Sequence, residues 1–297
     1  MQHNTPPVFR FAPSPNGLLH LGHAHSALLN QKICRKMAGR YLLRLEDIDQ
    51  TRCTPQLESQ MLEDLRWLGI EWEEPVRRQS EHFADYAAAL AKLRKMGLVY
   101  PSFMTRGEIK RAVAELEVQG DTWPRDPDGS PHYPGPERDW SVEQGDAMRH
   151  SNAKHAWRLD MKRALEQVGE ALRWWEADLG GAGQCQQIPA TPEAWGDVIL
   201  ARSDTPTSYH LAVTVDDALQ GVTHVVRGRD LYEATSVHRL LQKLLSLPEP
   251  VYHHHDLVID DDGRKLSKSD GDVSLKALRE NGVKAAEIEQ FFRFSAP

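Results

Sequence analysis

The sequence predicts an α/β fold with a parallel sheet, an inserted α+β subdomain and a short helical segment at the C-terminal end. Two observations lead to this prediction. Strand-like and helix-like hydrophobic patterns alternate over residues 8–45, as they do in βαβ units with parallel strands. The alternation weakens near residue 101 and returns near residue 196, so one α/β unit is expected to be interrupted and then resumed.

The first unit has the pattern strand, helix, strand. Residues 8–12 form an apolar-rich run that leads into the turn-forming sequence PSPNG, which is typical of a strand followed by a turn. Apolar residues roughly follow a 3.6-residue period over residues 22–38, and Gly39 occupies the expected helix C-cap. Residues 40–45 indicate a second strand. A helix between two strands this close in sequence favours parallel pairing.

Helical and irregular segments follow the first unit. Amphipathic helices are predicted over residues 54–68 and 86–96, because apolar residues recur on one side of each. Residues 120–137 are rich in Pro, Gly and Asp, which indicates a loop. Residues 141–194 combine three tryptophans, a glycine-rich turn and few periodic runs. We interpret that stretch as part of the inserted subdomain.

Strand and helix patterning returns in the last third of the chain, at residues 197–203, 208–215 and 223–227. A leucine-rich helix follows, and residues 272–294 are mostly helical in pattern. The expected division is therefore a split catalytic domain, an inserted subdomain, and a C-terminal loop with a helical segment. Their expected bounds are residues 1–100 with 196–250, residues 101–195, and residues 251–297.

The composition is that of a folded protein without a membrane anchor. Hydrophobic residues make up 40% of the 297, enough to bury a large core. No apolar run approaches the ~18 residues of a transmembrane helix, and residues 1–7 lack the apolar stretch of a secretory signal. We expect a cytoplasmic monomer with no membrane partner.

The spacing of the cysteines and the net charge exclude few classes of function. The three cysteines, Cys34, Cys53 and Cys185, are far apart, so they indicate neither a disulfide framework nor a thiolate zinc cluster. The net charge of −7 neither requires nor excludes an RNA partner, because phosphate contacts need only a local basic face. Candidate basic patches, each equally open to interpretation as a solvated helix face, are Arg77-Arg78 and Arg106, Lys110 and Arg111.

Two short motifs could carry nucleotide chemistry, although the common phosphate-loop, dinucleotide and hydrolase signatures are absent from the sequence. The first motif is His20-Leu21-Gly22-His23, at a predicted strand-to-helix turn. A helix N-terminus suits phosphate, Gly22 allows close approach of a ligand, and two imidazoles can donate to developing charge. Alone, the motif could equally cap a helix or satisfy a core.

The second motif is KLSKS at residues 265–269, after the acidic turn of residues 260–263. A mobile loop that carries Lys265 and Lys268 could clamp a triphosphate and follow it into the transition state. By itself this pentapeptide could also be a solvated cluster of charges. Because it follows the last part of the α/β unit, this motif together with the first favours nucleotide chemistry more strongly than either motif alone.

The order and spacing of the two motifs resemble those of the class I aminoacyl-tRNA synthetases, whose signatures read HIGH and KMSKS. Further stretches resemble the glutamate-specific branch and cover roughly residues 8–270 apart from the middle. The resemblance implies a Rossmann-type catalytic domain, an inserted acceptor-end subdomain, and ATP with Mg²⁺. The matching stretches are RFAPSPNG at 10–17, LRLEDID at 43–49, SYHLAVTVDD at 208–217 and GVTHVVR at 221–227.

The resemblance also implies a set of site residues. An arginine would pair with the side-chain carboxylate of L-glutamate through a bidentate fork, Glu46 would accept from its α-ammonium, and Tyr209 would supply a hydroxyl and an aromatic wall. The implied glutamate site is Arg10, Phe11, Ala12, Pro13, Ser14, Glu46, Tyr209 and Arg227. The implied ATP site is His20, Gly22, His23, Lys265 and Lys268, with His20, His23 and Lys268 as catalytic residues. Val213 departs from the pattern, because full-length enzymes usually carry Asn there, and it suggests weaker or differently coupled glutamate binding.

Length and one further motif favour a particular branch. The sequence ends about 28 residues after Ser269, so we expect no anticodon-binding domain. VVRGRDL at residues 225–231 resembles a signature of the glutamyl-queuosine tRNA(Asp) synthetases. That resemblance implies glutamate activation without tRNA, followed by transfer to queuosine at the wobble position of tRNA(Asp). The RNA partner would be the anticodon stem-loop that carries queuosine, whose single-stranded bases suit recognition.

Two alternatives remain open at this point. The chain could be a truncated glutamyl-tRNA synthetase that charges an ordinary 3′ end, or a non-catalytic synthetase-like module that binds RNA. A requirement for queuosine would argue against the first, and glutamate-dependent exchange of pyrophosphate into ATP would argue against the second.

No metal site is expected from the sequence. Synthetases of this family often hold zinc in the inserted region through Cys-x-Cys and Tyr-x-x-x-Cys. The corresponding positions here are Ser102, Met104, Tyr133 and Glu137, so no thiolate remains and packing is expected to stabilise the region. The run of histidines at residues 253–255 is not expected to bind a metal, because adjacent residues in a strand point to opposite faces.

Overall fold

The structure is a computed structural model that describes residues 5–118, 120, 122–150, 153–181, 183–258 and 273–292. Its strands are β1 (Val8–Phe11), β2 (Arg40–Leu45), β3 (Glu73–Arg78), β4 (Val99–Ser102), β5 (Ala156–Leu159), β6 (Arg173–Ala177), β7 (Cys185–Pro189), β8 (Ile199–Arg202), β9 (His224–Gly228) and β10 (Val251–His255). Its α-helices are α1 (Leu21–Lys36), α2 (Pro55–Trp67), α3 (Phe83–Lys95), α4 (Arg106–Val118), α5 (Val142–His150), α6 (Met161–Val168), α7 (Tyr209–Leu219), α8 (Thr235–Leu245), α9 (Leu275–Glu280) and α10 (Ala285–Phe291). No helix in these ranges is long and apolar enough to cross a membrane.

A seven-stranded sheet organises the fold, in the order β3-β2-β1-β9-β10-β6-β7. Every neighbouring pair from β3 to β6 is parallel, and β7 alone pairs antiparallel, at the edge with β6. This arrangement confirms the predicted α/β fold with a parallel sheet. Since parallel strands end on the same edge, the residues that follow β1, β2 and β9 are brought together there.

A three-stranded antiparallel sheet, β4-β5-β8, lies beside the large one. Its membership differs from the bounds expected from the sequence. β6 and β7 belong to the large sheet although residues 101–195 were expected to form the insert, and β8 belongs to the small sheet although it follows residue 196. β6 joins the large sheet because Trp174 is buried against Val225 and Tyr252. The division of the chain into domains stays a prediction.

Two large apolar clusters hold the helices to the sheets. One joins α1 and α2 to alternate residues of β1, Phe9 and Phe11, as the two-residue period of a strand requires. The other joins α3, α6, α7 and α8 to the small sheet. α1 and α7 are thereby fixed on either side of the strand ends that carry the predicted site.

The turn between α1 and β2 corrects the expected role of Gly39. The left-handed residue there is Ala38, with φ of 49°, and it precedes the glycine. Gly39 is needed for space, because a Cβ atom at this position would lie 2.8 Å from the carbonyl oxygen of Pro7 and 3.0 Å from the ring of Phe9. The glycine therefore lets the end of the turn lie directly against the start of β1.

Candidate active site

One cavity of about 610 Å³ lies at the carboxyl ends of β1 and β9 and the N-terminus of α1. Every predicted site residue that the structure describes lines it. They are Arg10, Phe11, Ala12, Pro13, Ser14, His20, Gly22, His23, Glu46, Tyr209 and Arg227. Lys265 and Lys268 fall outside the described residues, so their place relative to the cavity stays a prediction.

The N-terminus of α1 is capped by the two predicted histidines. Nδ1 of His20 accepts from the N–H of Gly22 at 3.1 Å, and Nδ1 of His23 accepts from the N–H of His20 at 3.2 Å. Because both Nδ1 atoms are acceptors, each neutral ring carries its proton on Nε2. A Cβ atom on residue 22 would lie 2.9 Å from the His20 ring. Gly22 is therefore required by the packing of His20 as well as by any ligand.

Arg10 lies on β1 and shares a buried carboxylate with a second arginine. Its Nε donates to Oδ1 of Asp217 at 3.1 Å, and Nη1 of Arg44 donates to the same oxygen at 2.8 Å. Burial acts to raise the pKa of Asp217, but the charges of Arg10 and Arg44 hold that pKa below its usual value. The two Nη groups of Arg10 form no hydrogen bond within the described ranges, so the fork of this arginine can receive an anion.

Glu46 follows β2 and enters the cavity beside those arginines. Its backbone N–H donates to the carbonyl of Pro13 at 3.0 Å, which ties the two loops together. Burial raises the pKa of Glu46 to about 7, although Arg44 and Arg10 act to lower it. Near neutral pH the carboxyl is thus divided between its charged and neutral forms, and a cation at this position would favour the charged form.

Arg227 lies on β9 and is 5% exposed. It makes no ion pair with any described residue. Its Nε donates to Nε2 of His254 at 3.0 Å, and its Nη1 donates to Nδ1 of His238 at 3.2 Å. Its Nη2 donates to Oγ1 of Thr235 at 2.7 Å and to the carbonyl of Leu231 at 3.1 Å. The charge of this buried guanidinium is therefore held by uncharged acceptors alone.

Tyr209 begins α7, which Ser208 caps with its side chain. The Tyr209 hydroxyl accepts a long hydrogen bond of 3.4 Å from Nη1 of Arg227. Burial raises the pKa of Tyr209 to about 12, so the hydroxyl stays protonated. Val213, the departure noted in the sequence, is buried one helical turn later and does not line the cavity.

Sequence reasoning missed several cavity residues. Asp230, Leu231 and Leu257 line it, and they follow the ends of β9 and β10. His255 also lines it, with Nε2 buried and without a hydrogen-bond partner in the described part of the chain. Three consecutive histidines at residues 253–255 give no sequence signal for which ring faces the cavity.

A second cavity, of about 770 Å³, shares Tyr209 with the first. Arg106 and Lys110 of one candidate basic patch line it, together with Arg52. Both arginines of the other candidate patch, Arg77-Arg78, already form ion pairs within the protein. Arg77 pairs with Asp216 and Asp85, and Arg78 pairs with Glu58, all at 2.6 or 2.7 Å.

The four positions that match the family's zinc ligands come together near β4. The Tyr133 hydroxyl donates to Oε1 of Glu137 at 2.7 Å and accepts from the N–H of Met104 at 3.4 Å, while Ser102 donates to the carbonyl of Ala156. Among the described residues no group of three His, Cys, Asp or Glu side chains could hold a metal ion. These hydrogen bonds agree with stabilisation by packing, and the absence of zinc stays a prediction.

Comparison with known proteins identifies the family. The family model "tRNA synthetases class I (E and Q), catalytic domain" matches residues 8–295. The chain belongs to this family. It is 45% identical, over 95% of its own length and 98% of the relative, to the glutamyl-Q tRNA(Asp) synthetase of Rhodobacter capsulatus. It is 40% identical to that of Leptothrix cholodnii, of which it covers 83%. Within the family, the chain is one of the glutamyl-Q tRNA(Asp) synthetases.

A solved structure supports the same fold. The crystal structure of the glutamate-tRNA synthetase of Elizabethkingia anophelis matches 90% of this chain with a TM-score of 0.70 and 26% identity. The chain spans 53% of that longer protein. The match confirms the expected class I synthetase catalytic fold.

Proposed function

We propose that this protein activates L-glutamate with ATP, without tRNA, and transfers the glutamyl group to queuosine at the wobble position of tRNA(Asp). The observation that carries the proposal is the single cavity that gathers the predicted glutamate residues beside the N-terminus of α1. The names of the relatives that the chain covers for most of their length support the choice of RNA.

The charges of the cavity suit a dicarboxylic amino acid. Arg10 offers an open fork and Arg227 an unneutralised charge, whereas Glu46 offers an acceptor for an ammonium group. A carboxylate is best bound by a guanidinium fork. Glutamine would leave one of these charges uncompensated, and a buried uncompensated charge is costly. Glutamate is therefore the preferred substrate.

The proposed first step joins the two substrates. The α-carboxylate of glutamate attacks the α-phosphorus of ATP, the bond to the bridging oxygen breaks, and pyrophosphate leaves. His20 and His23 carry Nε2 protons at the N-terminus of α1, where a helix favours phosphate. Positioning and charge stabilisation account for this step without a covalent enzyme intermediate.

Magnesium fits the cavity as a companion of the triphosphate. The first turn of α1 contains no acidic residue, and the carboxylates that line the cavity are Glu46 and Asp230. The metal would thus be held mainly by phosphate oxygens and water, which is usual for Mg²⁺. When bound, Mg²⁺ would neutralise charge on the leaving pyrophosphate.

The proposed second step uses RNA. A hydroxyl of queuosine attacks the carbonyl carbon of the mixed anhydride, the bond from that carbon to the phosphate oxygen breaks, and AMP leaves with the bonding electrons while the hydroxyl proton passes to water. The second cavity supports an approach of RNA from this side, because Arg106 and Lys110 line it together with Tyr209. Basic side chains beside an aromatic ring suit a single-stranded nucleotide.

The deciding experiment uses radiolabelled glutamate, ATP and tRNA from cells with and without queuosine. Label is expected only on the queuosine-containing tRNA, and it is expected to survive removal of the 3′ terminal nucleotide. Equal labelling of both pools at the 3′ end would show ordinary charging. A protein that also fails to exchange pyrophosphate into ATP when glutamate is added would not be a synthetase.

The role of Lys268 has a separate test. Lys268→Ala is expected to slow adenylate formation by about 100-fold or more, since a lysine on transferred phosphate stabilises transition-state charge. The measurement is single-turnover formation of glutamyl-AMP, with Lys284→Ala as a control because Lys284 lies outside both predicted motifs. An unchanged rate would contradict the assigned role.

A further inference from the structure

The environment of Arg227 is unusual because every one of its donors is used and no acceptor is an anion. Four of its contacts, to His254, His238, Thr235 and Leu231, measure 2.7–3.2 Å. The fifth contact, to the Tyr209 hydroxyl, is the longest at 3.4 Å, and both residues line the cavity. A buried guanidinium normally pairs with a carboxylate. This one is fixed in place and keeps its full charge.

The hydrogen bonds determine the protonation of the two histidines. A guanidinium can only donate, so Nδ1 of His238 and Nε2 of His254 are acceptors. His238 therefore carries its proton on Nε2 and donates to Nδ1 of His210 at 3.2 Å. His254 carries its proton on Nδ1 and donates to Glu176 at 2.8 Å. Burial lowers the pKa of His254 to about 4 and that of His238 well below its ordinary value.

The carboxylate of Glu176 is separated from Arg227 by the ring of His254. Glu176 bonds to the far side of the His254 ring and also accepts from the indole of Trp174 at 3.2 Å. On the other side of the network, Asp217 is occupied by Arg10 and Arg44. Arg227 thus donates to imidazole, hydroxyl and carbonyl groups, and it forms no ion pair with an acidic side chain in the described part of the chain.

We propose that His238, His254 and Thr235 are positioning residues that hold Arg227 with neutral acceptors, so that its charge remains available to the side-chain carboxylate of glutamate. This inference rests on the proposed function. His238 and Thr235 do not line the glutamate cavity, so they act through Arg227 and not on the substrate. The substrate carboxylate would then replace the long contact with Tyr209 as the partner of Nη1.

Two pairs of variants test whether a negative charge beside Arg227 matters. The two members of each pair have side chains of nearly the same shape and differ in charge. His238→Asn and His238→Asp each keep an acceptor oxygen near Nδ1, but only the aspartate neutralises Arg227 internally. Thr235→Asn and Thr235→Asp do the same beside Nη2. Residue 235 is the first of α8, where aspartate is well tolerated, so this pair remains informative should a change at residue 238 prevent folding.

The measurement is glutamate-dependent exchange of pyrophosphate into ATP, with KM and kcat determined for each variant. Each Asp variant is expected to raise the KM for glutamate at least about tenfold over its Asn counterpart, because a lost charge–charge contact is worth a factor of this size. The KM for ATP and the Tm are expected to differ little within a pair. His253→Asp, on the opposite face of β10, controls for a charge added nearby.

Equal KM values for glutamate within both pairs would overturn the inference. Wild-type protein without glutamate-dependent exchange would instead overturn the proposed function, and this inference with it. An increase of KM in the Asp variants that is matched by His253→Asp would also contradict it, because the effect would then be general electrostatics and not the neutralisation of Arg227.

Discussion

The pKa of Glu46 differs from that of an ordinary glutamate because of where the side chain lies in the cavity. An exposed glutamate titrates near pH 4, whereas burial raises the pKa of Glu46 to about 7 despite two neighbouring arginines. The charged form is the one that can accept from the α-ammonium group of a bound amino acid. In the proposed function, binding of the α-ammonium group is therefore coupled to deprotonation of Glu46.

That coupling predicts a pH dependence for glutamate binding. Because the carboxylate of Glu46 forms as the pH rises through about 7, the KM for glutamate is expected to fall about tenfold between pH 6 and pH 8. Glu46→Gln is expected to raise this KM and to remove its pH dependence. Exchange kinetics at several pH values provide the measurement, with the KM for ATP as the internal control. A glutamate KM that rises with pH would contradict the role of Glu46.

For single residues, the sequence predicted which side chains form the site better than it predicted their hydrogen-bond and ion-pair partners. The matching stretches contain Arg10, Glu46, Tyr209 and Arg227, and all four line one cavity. They could not show that Arg10 shares Asp217 with Arg44, because that contact joins residues far apart in sequence. They also gave no reason to examine His238, since a histidine within an amphipathic helix is usually a core residue.

At the scale of elements, the turn from α1 to β2 depends on two adjacent small residues with different functions. Ala38 adopts the left-handed conformation, and Gly39 makes room for Pro7 and Phe9. The turn sets where β1 and β2 lie relative to α1. It therefore contributes to the alignment of His20 with Arg10 and Glu46.

Opposite changes in stability are expected at these two positions. Gly39→Ala is expected to lower the free energy of unfolding by about 1–3 kcal/mol through overpacking. Ala38→Gly is expected to raise it by up to about 1 kcal/mol, because it relieves a left-handed alanine. Denaturant unfolding of both variants provides the measurement. Loss of stability in both would show that packing of the Ala38 methyl group outweighs its backbone strain.

The elements of the first βαβ unit were predicted well, because their hydrophobic periods are local. α1, β1, β2 and α2 all lie within a few residues of the expected bounds. Sheet membership of β6, β7 and β8 was not predictable in the same way. Strand pairing is decided by contacts such as Trp174 with Tyr252, which no local pattern encodes.

At the scale of the whole molecule, the segment that leads into the C-terminal helices packs against the cap of α1, beside the cavity. The backbone of Ser274 forms a bridge with His20, and the N–H of Leu275 donates to the carbonyl of Leu19 at 2.8 Å. α9 is held to α2 by Arg279, which pairs with Glu63 at 2.5 Å and with the buried Asp64 at 3.3 Å. The segment after the second motif thus contacts the first motif directly.

Arg279→Ala is expected to destabilise this closure. Asp64 is fully buried, and loss of Arg279 would leave its carboxylate with too few partners, at a cost of about 1–3 kcal/mol. Arg35→Ala, which breaks an exposed pair with Glu71, is expected to cost less than about 1 kcal/mol. Thermal unfolding compares the two. Equal losses would mean that the burial of Asp64 does not matter.

Asn30 gives α1 a second role. Its side-chain amide donates to the backbone carbonyl of Arg10 on β1 at 2.7 Å and to that of Val226 on β9 at 3.4 Å. One residue of the helix that His20 caps is thereby tied to the two strands that carry Arg10 and Arg227. A displacement of α1 on binding of a triphosphate would pass through Asn30 to the backbone of β1 at Arg10 and of β9 at Val226. Thermodynamic reciprocity then requires that the factor by which ATP changes the affinity for glutamate equals the factor by which glutamate changes the affinity for ATP.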